Sequence, residues 1–156
     1  MLTSIQKVRG DILPPFFKSI IIGLACQAWL LLTAWLSGIL VDFSGTGNGQ
    51  TFESFREKLI VVLIVAPILE TLVLNLALNE LLLTFLRKTF VIIASSVCFG
   101  LMHIYSIPYM IFTFAGALAL NISYFYFKEK YGLVRTILII TVIHFNHNLV
   151  GILLGK

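Results

Sequence analysis

Four polar residues that could do chemistry together stand in stretches of sequence that are otherwise apolar. Glu70 lies within APILETLVLNLALNE, His103 within CFGLMHIYS, and His144 and Asn148 within TVIHFNHNLVG. A charged side chain at the centre of a membrane helix costs about 2.5–3.5 kcal/mol, so such a residue usually has a partner or a function. His144 and Asn148 are four residues apart and share a helix face. His147 lies at the edge of that face and is assigned no role.

These residue types fit the hydrolysis of a peptide bond. A carboxylate held away from bulk water can act as a general base and take a proton from a water molecule. A neighbouring His can orient that water, and a second His with an Asn amide can donate hydrogen bonds to the oxyanion of a tetrahedral intermediate. No covalent nucleophile is needed. For this chemistry the three stretches that carry these residues must pack together. Glu70, His103, His144 and Asn148 are then expected to surround one polar cavity.

The composition indicates that the elements that position these residues lie in a membrane. Hydrophobic residues make up 59% of the 156 residues and charged residues 12%, whereas a soluble domain has about 45–50% apolar and about 25% charged residues. A soluble fold of this size could not bury so much apolar surface. Lys and Arg punctuate the apolar runs and form no basic patch with aromatic side chains. We therefore expect no nucleic-acid partner, despite the net charge of +4.

Five apolar segments follow one another along the chain. Each is expected to be a helix, because lipid offers no partner to unpaired backbone groups. They cover residues 19–40, 59–86, 89–105, 109–127 and 133–154. We predict an all-α fold, a polytopic transmembrane helix bundle of about five spans. Its parts are a cytoplasmic N-terminal segment (1–18), a first transmembrane helix (19–40), a polar loop (41–58) and a four-helix core (59–154).

Lys and Arg are distributed unequally between the two sides of such a bundle. These residues favour the cytoplasmic side of a membrane. With the N-terminus inside, three of them lie outside, Arg56, Lys58 and Lys156, and eight lie inside: Lys7, Arg9, Lys18, Arg87, Lys88, Lys128, Lys130 and Arg135. We predict a cytoplasmic N-terminus and a C-terminus on the opposite side.

The three polar segments resemble, in order, the three motifs of the CPBP family. This family comprises the CAAX-prenyl-protease and bacteriocin-processing intramembrane proteases, also called ABI proteins. Its first motif, P-x-x-E-E-x-x-x-R, is similar to the stretch from Pro67 to Asn75. Its second, F-x-x-x-H, is matched by Phe99 to His103, and its third, H-x-x-x-N, by His144 to Asn148. The resemblance covers about residues 59–154.

The resemblance implies a glutamic protease that requires no metal and no cofactor. The family's roles, carried over, make Glu70 and His103 the groups that activate water, and His144 and Asn148 the groups that stabilise the oxyanion. They imply an intramembrane endopeptidase that cleaves a membrane-associated protein or peptide. Its partners would be membrane lipid, that substrate and a larger membrane complex. The expected location is a bacterial or archaeal cell membrane, which the protein crosses several times.

Two alternatives stay open beside the protease. Thr71 and Asn75 stand where the first motif has its second Glu and its Arg, which favours a catalytically silent relative that acts as a scaffold, immunity factor or complex subunit. Polar residues within membrane helices often serve only helix–helix contact, and Asn75 and Asn79 are interpreted in that way first. In the second alternative, the protein is a haem- or metal-binding subunit whose ligands are His103 and His144, with or without His147.

Overall fold

The structure, a computed structural model, describes residues 15–40, 52–104 and 107–154. Within these ranges the chain forms five helices and no strand: α1 (Pro15–Leu40), α2 (Phe55–Leu83), α3 (Lys88–Met102), α4 (Ile107–Tyr131) and α5 (Leu133–Leu154). The prediction of an all-α bundle is confirmed. Most of the N-terminal segment predicted at 1–18 and of the polar loop predicted at 41–58 lies outside the described residues.

Three of the described helices, α2, α4 and α5, are long and apolar enough to cross a membrane. The apolar helix α3 has only 15 residues, about 22 Å, and is shorter than the ~30 Å hydrocarbon core of a bilayer. Helix α1 has 26 residues, and its described apolar stretch is Ile21–Thr33. The number of five spans stays a prediction.

The central helix of the bundle is α4, which contacts each of the other four helices. Its buried residues Leu120, Tyr124 and Phe127 belong to one apolar core with Leu30 of α1 and Ile140 of α5. Helix α2 lies against α3 and α5 on the other side of this arrangement. The short α3 is therefore held between α2 and α4, where its last turn can face the interior of the bundle.

Two glycines meet different needs of the bundle, one at a turn between helices and one at a close helix–helix contact. Gly132 alone separates α4 from α5; it has a φ of 76°, a left-handed conformation that glycine adopts without strain. Its N–H donates to the carbonyl of Lys128 at 3.1 Å, a typical C-terminal cap. At Gly100, an added Cβ would lie 2.9 Å from the carbonyl oxygen of Met110. Gly100 thus permits the close packing of α3 on α4.

A cluster of buried polar side chains joins α2 to α3 and α4. The side-chain amides of Asn75 and Asn79 both donate to Oδ1 of Asn121, each at 2.8 Å. Asn121 in turn donates to the hydroxyl of Ser96 at 2.9 Å, and Ser96 donates to the carbonyl of Ile92 at 2.7 Å. We call Asn75, Asn79, Ser96 and Asn121 the amide cluster. It confirms the helix–helix contact predicted for Asn75 and Asn79.

Four of the described helices begin earlier than the apolar segments that predicted them; α1 and α3 begin at Pro15 and Lys88 rather than at residues 19 and 89. Helix α2 starts at Phe55 rather than Leu59, because the Ser54 hydroxyl accepts a hydrogen bond from the N–H of Glu57 at 3.1 Å. The Ser-x-x-Glu spacing is that of a capping box, which marks a helix start even where charged residues interrupt the apolar pattern. Helix α4 starts at Ile107 and carries Pro108 in its first turn, where a missing N–H costs nothing.

Candidate active site

The four residues singled out in the sequence line one cavity of about 130 Å³. Glu70 reaches the cavity from α2, and His144 and Asn148 reach it from α5. His103 is the residue directly after the end of α3. A single water molecule needs about 10–15 Å³ of such volume. The cavity therefore has room for several water molecules or for a short piece of polypeptide.

Glu70 is placed by an irregular part of α2. It ends a short α-helical stretch, Ala66–Glu70, between two π-helical stretches, Val61–Val65 and Thr71–Leu78. Pro67 has no N–H and cannot bond a carbonyl of the preceding turn, which disturbs the regular helix at this point. Such π-helical insertions are rare overall, but many of those that occur lie at functional sites. They shift the direction in which the side chains of the helix point.

Glu70 and His144 form the closest pair of ionisable groups in the cavity wall that the structure records. Oε2 of Glu70 lies 3.4 Å from Nε2 of His144. This distance exceeds the 2.7–3.2 Å of a good N–H···O hydrogen bond, so the two groups are adjacent without a well-formed hydrogen bond between them. The His144 side chain is buried, whereas 26% of the Glu70 side chain is accessible. Among the described residues, Nδ1 of His144 has no hydrogen-bond partner.

His103 is held by the residue four positions before it. Its Nδ1 lies 2.7 Å from the carbonyl oxygen of Phe99, and its ring stacks on the Phe99 ring with centroids 4.8 Å apart. A carbonyl oxygen can only accept, so Nδ1 is the donor, and in the neutral tautomer with this hydrogen bond the lone pair is on Nε2. Tyr109 lies edge-on to the same ring at 5.6 Å. The F-x-x-x-H spacing thus fixes both the orientation and the tautomer of His103.

Asn148 satisfies a carbonyl that α2 leaves without a donor. Its Nδ2 donates to the carbonyl oxygen of Val62 at 2.9 Å. Within the helix, that carbonyl would accept from residue 66 or 67, but the N–H of Ala66 donates to Val61 and residue 67 is a proline. One N–H of the Asn148 amide is therefore used for packing, and the second is not bound to the Val62 carbonyl.

Residues 54–150, more than half of the chain, match a family model described as type II CAAX prenyl endopeptidase Rce1-like. The chain belongs to this family. It is an integral membrane protein of the CAAX-protease kind, and the resemblance to the CPBP family that was drawn from its motifs is confirmed. Comparisons with curated proteins and with solved structures give no match.

The Rce1-like chain adds residues to the cavity that were not predicted from its sequence. His147 lines it too, with an Nδ1 atom that is buried and has no partner in the described part of the chain. Its ring lies 5.9 Å from that of Phe112 in α4. Helix α4 supplies much of the remaining wall, through Tyr109, Phe112, Thr113, Gly116, Ala117 and Leu120. These recur every three or four residues and so form a helical stripe, and no role was predicted for them from the sequence.

The two positions at which the Rce1-like chain departs from the first motif lie outside the cavity wall. Thr71 and Asn75 are fully buried and do not line the cavity. Asn75 belongs to the amide cluster. The place that the motif gives to an arginine is therefore occupied by a helix-packing amide.

The described residues also bear on the alternative of a metal site. Within 15–40, 52–104 and 107–154, no group of three or more His, Cys, Asp and Glu side chains is arranged so that it could hold a metal ion. His103, His144 and His147 all line the cavity, but each is placed beside an aromatic ring or a carboxylate rather than around a common point.

Proposed function

We propose that this Rce1-like protein is an intramembrane endopeptidase of a bacterial or archaeal cell membrane, and that it hydrolyses a peptide bond of a membrane-associated substrate. The observation that supports the proposal is the cavity itself. A carboxylate, three imidazoles and a carboxamide from three helices line a space of about 130 Å³ inside an otherwise apolar bundle. Polar groups at this depth are costly, and a shared cavity gives them a common use.

In the proposed mechanism, Glu70 and His103 activate water. The carboxylate of Glu70 takes a proton from a water molecule as the oxygen attacks the carbonyl carbon of the substrate. The free lone pair on Nε2 of His103, fixed by the Phe99 carbonyl, accepts a hydrogen bond from the same water and orients it. The attack yields a tetrahedral intermediate with a negative oxygen, and Glu70 is then protonated.

His144 and Asn148 are assigned to the oxyanion. Nε2 of His144 lies beside the Glu70 carboxylate, where an N–H can donate first to that carboxylate and then to the developing oxyanion. The second N–H of Asn148 is free of the Val62 carbonyl and adds a further donor. When the intermediate collapses, the C–N bond breaks and Glu70 returns its proton to the leaving nitrogen. The products are a carboxylic acid and an amine, and the acid then passes its proton to the amine.

The catalytically silent scaffold is the second candidate. This candidate is favoured by Asn75, which stands where the first motif has an arginine. Instead of facing the cavity, its side chain donates a hydrogen bond to Asn121. In a scaffold the cavity residues only pack, so a change that preserves their shape has no biochemical consequence. The two candidates therefore differ in what happens when Glu70 loses its charge and keeps its size.

The deciding experiment compares membranes that contain the wild-type protein or the Glu70→Gln variant at matched levels. Mass spectrometry of new peptide termini in the membrane proteome should find cleavage products that depend on the wild type and are missing with Glu70→Gln. Glu80→Gln is the matched control, since Glu80 lies on the same helix but pairs with Lys128 away from the cavity. Identical sets of termini for the wild type and Glu70→Gln would refute the protease and leave the scaffold.

A further inference from the structure

Of the three histidines that line the cavity, His147 is the one to which the proposed mechanism gives no role. It lies on α5, three residues after His144 and directly before Asn148. Residues three apart on a helix have Cβ atoms about 5–6 Å from each other. The His147 ring therefore lines the cavity within one turn of both residues that are assigned to the oxyanion.

The two ring nitrogens of His147 have different surroundings. Nδ1 is buried and has no hydrogen-bond partner in the described part of the chain. Nε2 forms no hydrogen bond with the described residues either, but it is not among the buried polar atoms that lack a partner. Nε2 is therefore the nitrogen that a molecule in the cavity can reach. The Phe112 ring lies 5.9 Å from the imidazole and packs beside it.

The groups in the cavity wall decide which nitrogen of neutral His147 carries the proton. Glu70 and His103 both present acceptors to the cavity, a carboxylate and the lone pair on Nε2. In a space shielded from bulk water, a carboxylate attracts an N–H and repels a lone pair. A buried N–H without an acceptor is also costly. Both arguments place the proton on Nε2, so that His147 presents an N–H donor to the cavity.

A polypeptide in the cavity brings more carbonyl groups than the oxyanion donors can bind. Inside an apolar bundle, each backbone group without a partner is costly. None of the described lining residues is Lys or Arg, and the Thr113 hydroxyl already donates to carbonyls of its own helix. His144 and Asn148 are assigned to the reacting carbonyl. The N–H of His147 then remains as a donor for another carbonyl of the substrate.

We infer that His147 is a substrate-binding residue, whose Nε2–H donates to a backbone carbonyl of the bound polypeptide close to the bond that is cleaved. An extended chain advances about 3.3 Å per residue, so a donor one turn from His144 reaches a carbonyl one or two residues from the reacting one. The inference rests on the proposed function for the identity of the ligand, whereas the position of the proton does not depend on catalysis. Because this carbonyl does not react, the bond is equally strong in the substrate and in the transition state, and it should lower KM rather than raise kcat.

Nitrogen NMR of the full-length protein in lipid bilayers tests the position of the proton. The chain has three histidines, so labelling with ¹⁵N-histidine gives one pair of ring signals for each, and replacing each histidine in turn by Gln assigns them. At a mildly alkaline pH the rings are neutral and the two tautomers are distinguished. We expect the proton of His147 on Nε2 and that of His103 on Nδ1. A His147 ring with its proton on Nδ1 would overturn the inference.

The binding role is tested with a synthetic peptide that spans a cleavage site identified in the Glu70→Gln comparison. His147→Phe keeps a packed ring and removes the donor, so KM should rise about 3–10-fold, the usual contribution of one neutral hydrogen bond. His147→Gln places an amide N–H near the position of Nε2 and should recover most of this loss. Asn146→Ala is the matched control, because Asn146 is the preceding residue of α5, is exposed and does not line the cavity.

The outcomes separate this role from packing and from catalysis. Equal KM values for His147→Phe and Asn146→Ala would show that the donor binds no substrate. Equal losses in His147→Phe and His147→Gln would show that the imidazole only packs, and a loss confined to kcat would assign the donor to the oxyanion. Each of these results would overturn the inference. If the wild type yields no cleavage products, the proposed protease and the substrate role fail together, and the nitrogen spectrum distinguishes this failure from a wrong tautomer.

Discussion

The side-chain amide of Asn148 donates to the carbonyl of Val62 at 2.9 Å, and this bond joins the last part of α5 to the irregular part of α2. The carbonyl needs an outside donor, because residue 67 is a proline and the N–H of Ala66 is used by Val61. A proline in the first motif and an asparagine in the third are thus linked by one backbone group. Asn148 has a packing role as well as the proposed catalytic one.

Asn148→Ala should affect stability and activity together. The Val62 carbonyl is partly buried, and leaving it unpaired should cost up to about 1–3 kcal/mol, the cost for a fully buried group. Removing an oxyanion donor lowers kcat by about 10²–10³-fold. The double variant Pro67→Ala/Asn148→Ala separates the two, because the alanine N–H at position 67 can bond the Val62 carbonyl. We expect it to regain the thermal stability of the wild type in detergent and to remain inactive.

Pro67→Ala alone is the control for that double variant, and the activity of the double variant is compared with it. Recovery of activity in the double variant would show that Asn148 acts only by packing, and the assignment of the oxyanion donor would then be wrong. Thermal unfolding and cleavage of the same detergent-purified samples give both measurements.

Glu70→Gln should abolish cleavage without unfolding the protein. Gln has the same size and keeps the ability to form hydrogen bonds, but it cannot accept the proton, so the rate should fall by about 10²–10⁴-fold, the usual contribution of general base catalysis. The reaction is followed with a substrate identified from the new termini. Glu80→Gln should stay within a few-fold of the wild type, as its partners Lys128 and Tyr124 lie outside the cavity.

Metal chelators should not change the rate, because water activation is assigned to the Glu70 carboxylate. Incubation with EDTA or 1,10-phenanthroline, followed by the cleavage assay, tests this directly. The purified protein should also lack a visible absorption band of haem. Loss of activity on chelation that returns with added zinc, or a Soret band, would favour the ligand interpretation of His103, His144 and His147.

The sequence predicted the residues of the cavity better than their contacts. Glu70, His103, His144 and Asn148 were found because polar residues in apolar segments are conspicuous, and the structure brings all four to one cavity. The bond from Asn148 to Val62 could not be predicted, because it arises from a π-helical stretch whose hydrogen bonds depend on the whole of α2. Neither could the spacing of Glu70 and His144, which depends on how α2 packs against α5.

The helix boundaries also divide into those that the apolar pattern predicts and those that local contacts decide. Helix α5 was predicted at 133–154 and is observed at Leu133–Leu154, since Gly132 and the basic residues before it end one apolar run and begin the next. Helix α2 starts earlier than its apolar segment because the Ser54 cap, rather than hydropathy, sets its first residue. The part of the wall formed by α4 was missed because Tyr109, Phe112 and Thr113 carry no charge to distinguish them from packing residues.

The last prediction concerns the amide cluster. Asn121 is its member in α4, and its side chain forms hydrogen bonds with residues of α2 and of α3. Asn121→Leu removes three hydrogen bonds between helices. At about 0.6 kcal/mol for each such bond in a membrane protein, the free energy of unfolding should fall by roughly 2 kcal/mol. Ser96→Ala removes only one acceptor from the cluster and should cost less.

Thermal unfolding in detergent measures this series, with Ile122→Leu as the matched control. Ile122 is the next residue of α4 and is more than half exposed, so its replacement should leave the unfolding temperature unchanged. Asn121 does not line the cavity, and the Asn121→Leu protein that remains folded should still cleave, with activity lost in proportion to unfolding. If Asn121→Leu is as stable as Ile122→Leu, the amide cluster does not hold α2 in place. The position of Glu70 must then depend on the other contacts of α2, which include the bonds from Asn148 to Val62 and from Lys128 to Glu80.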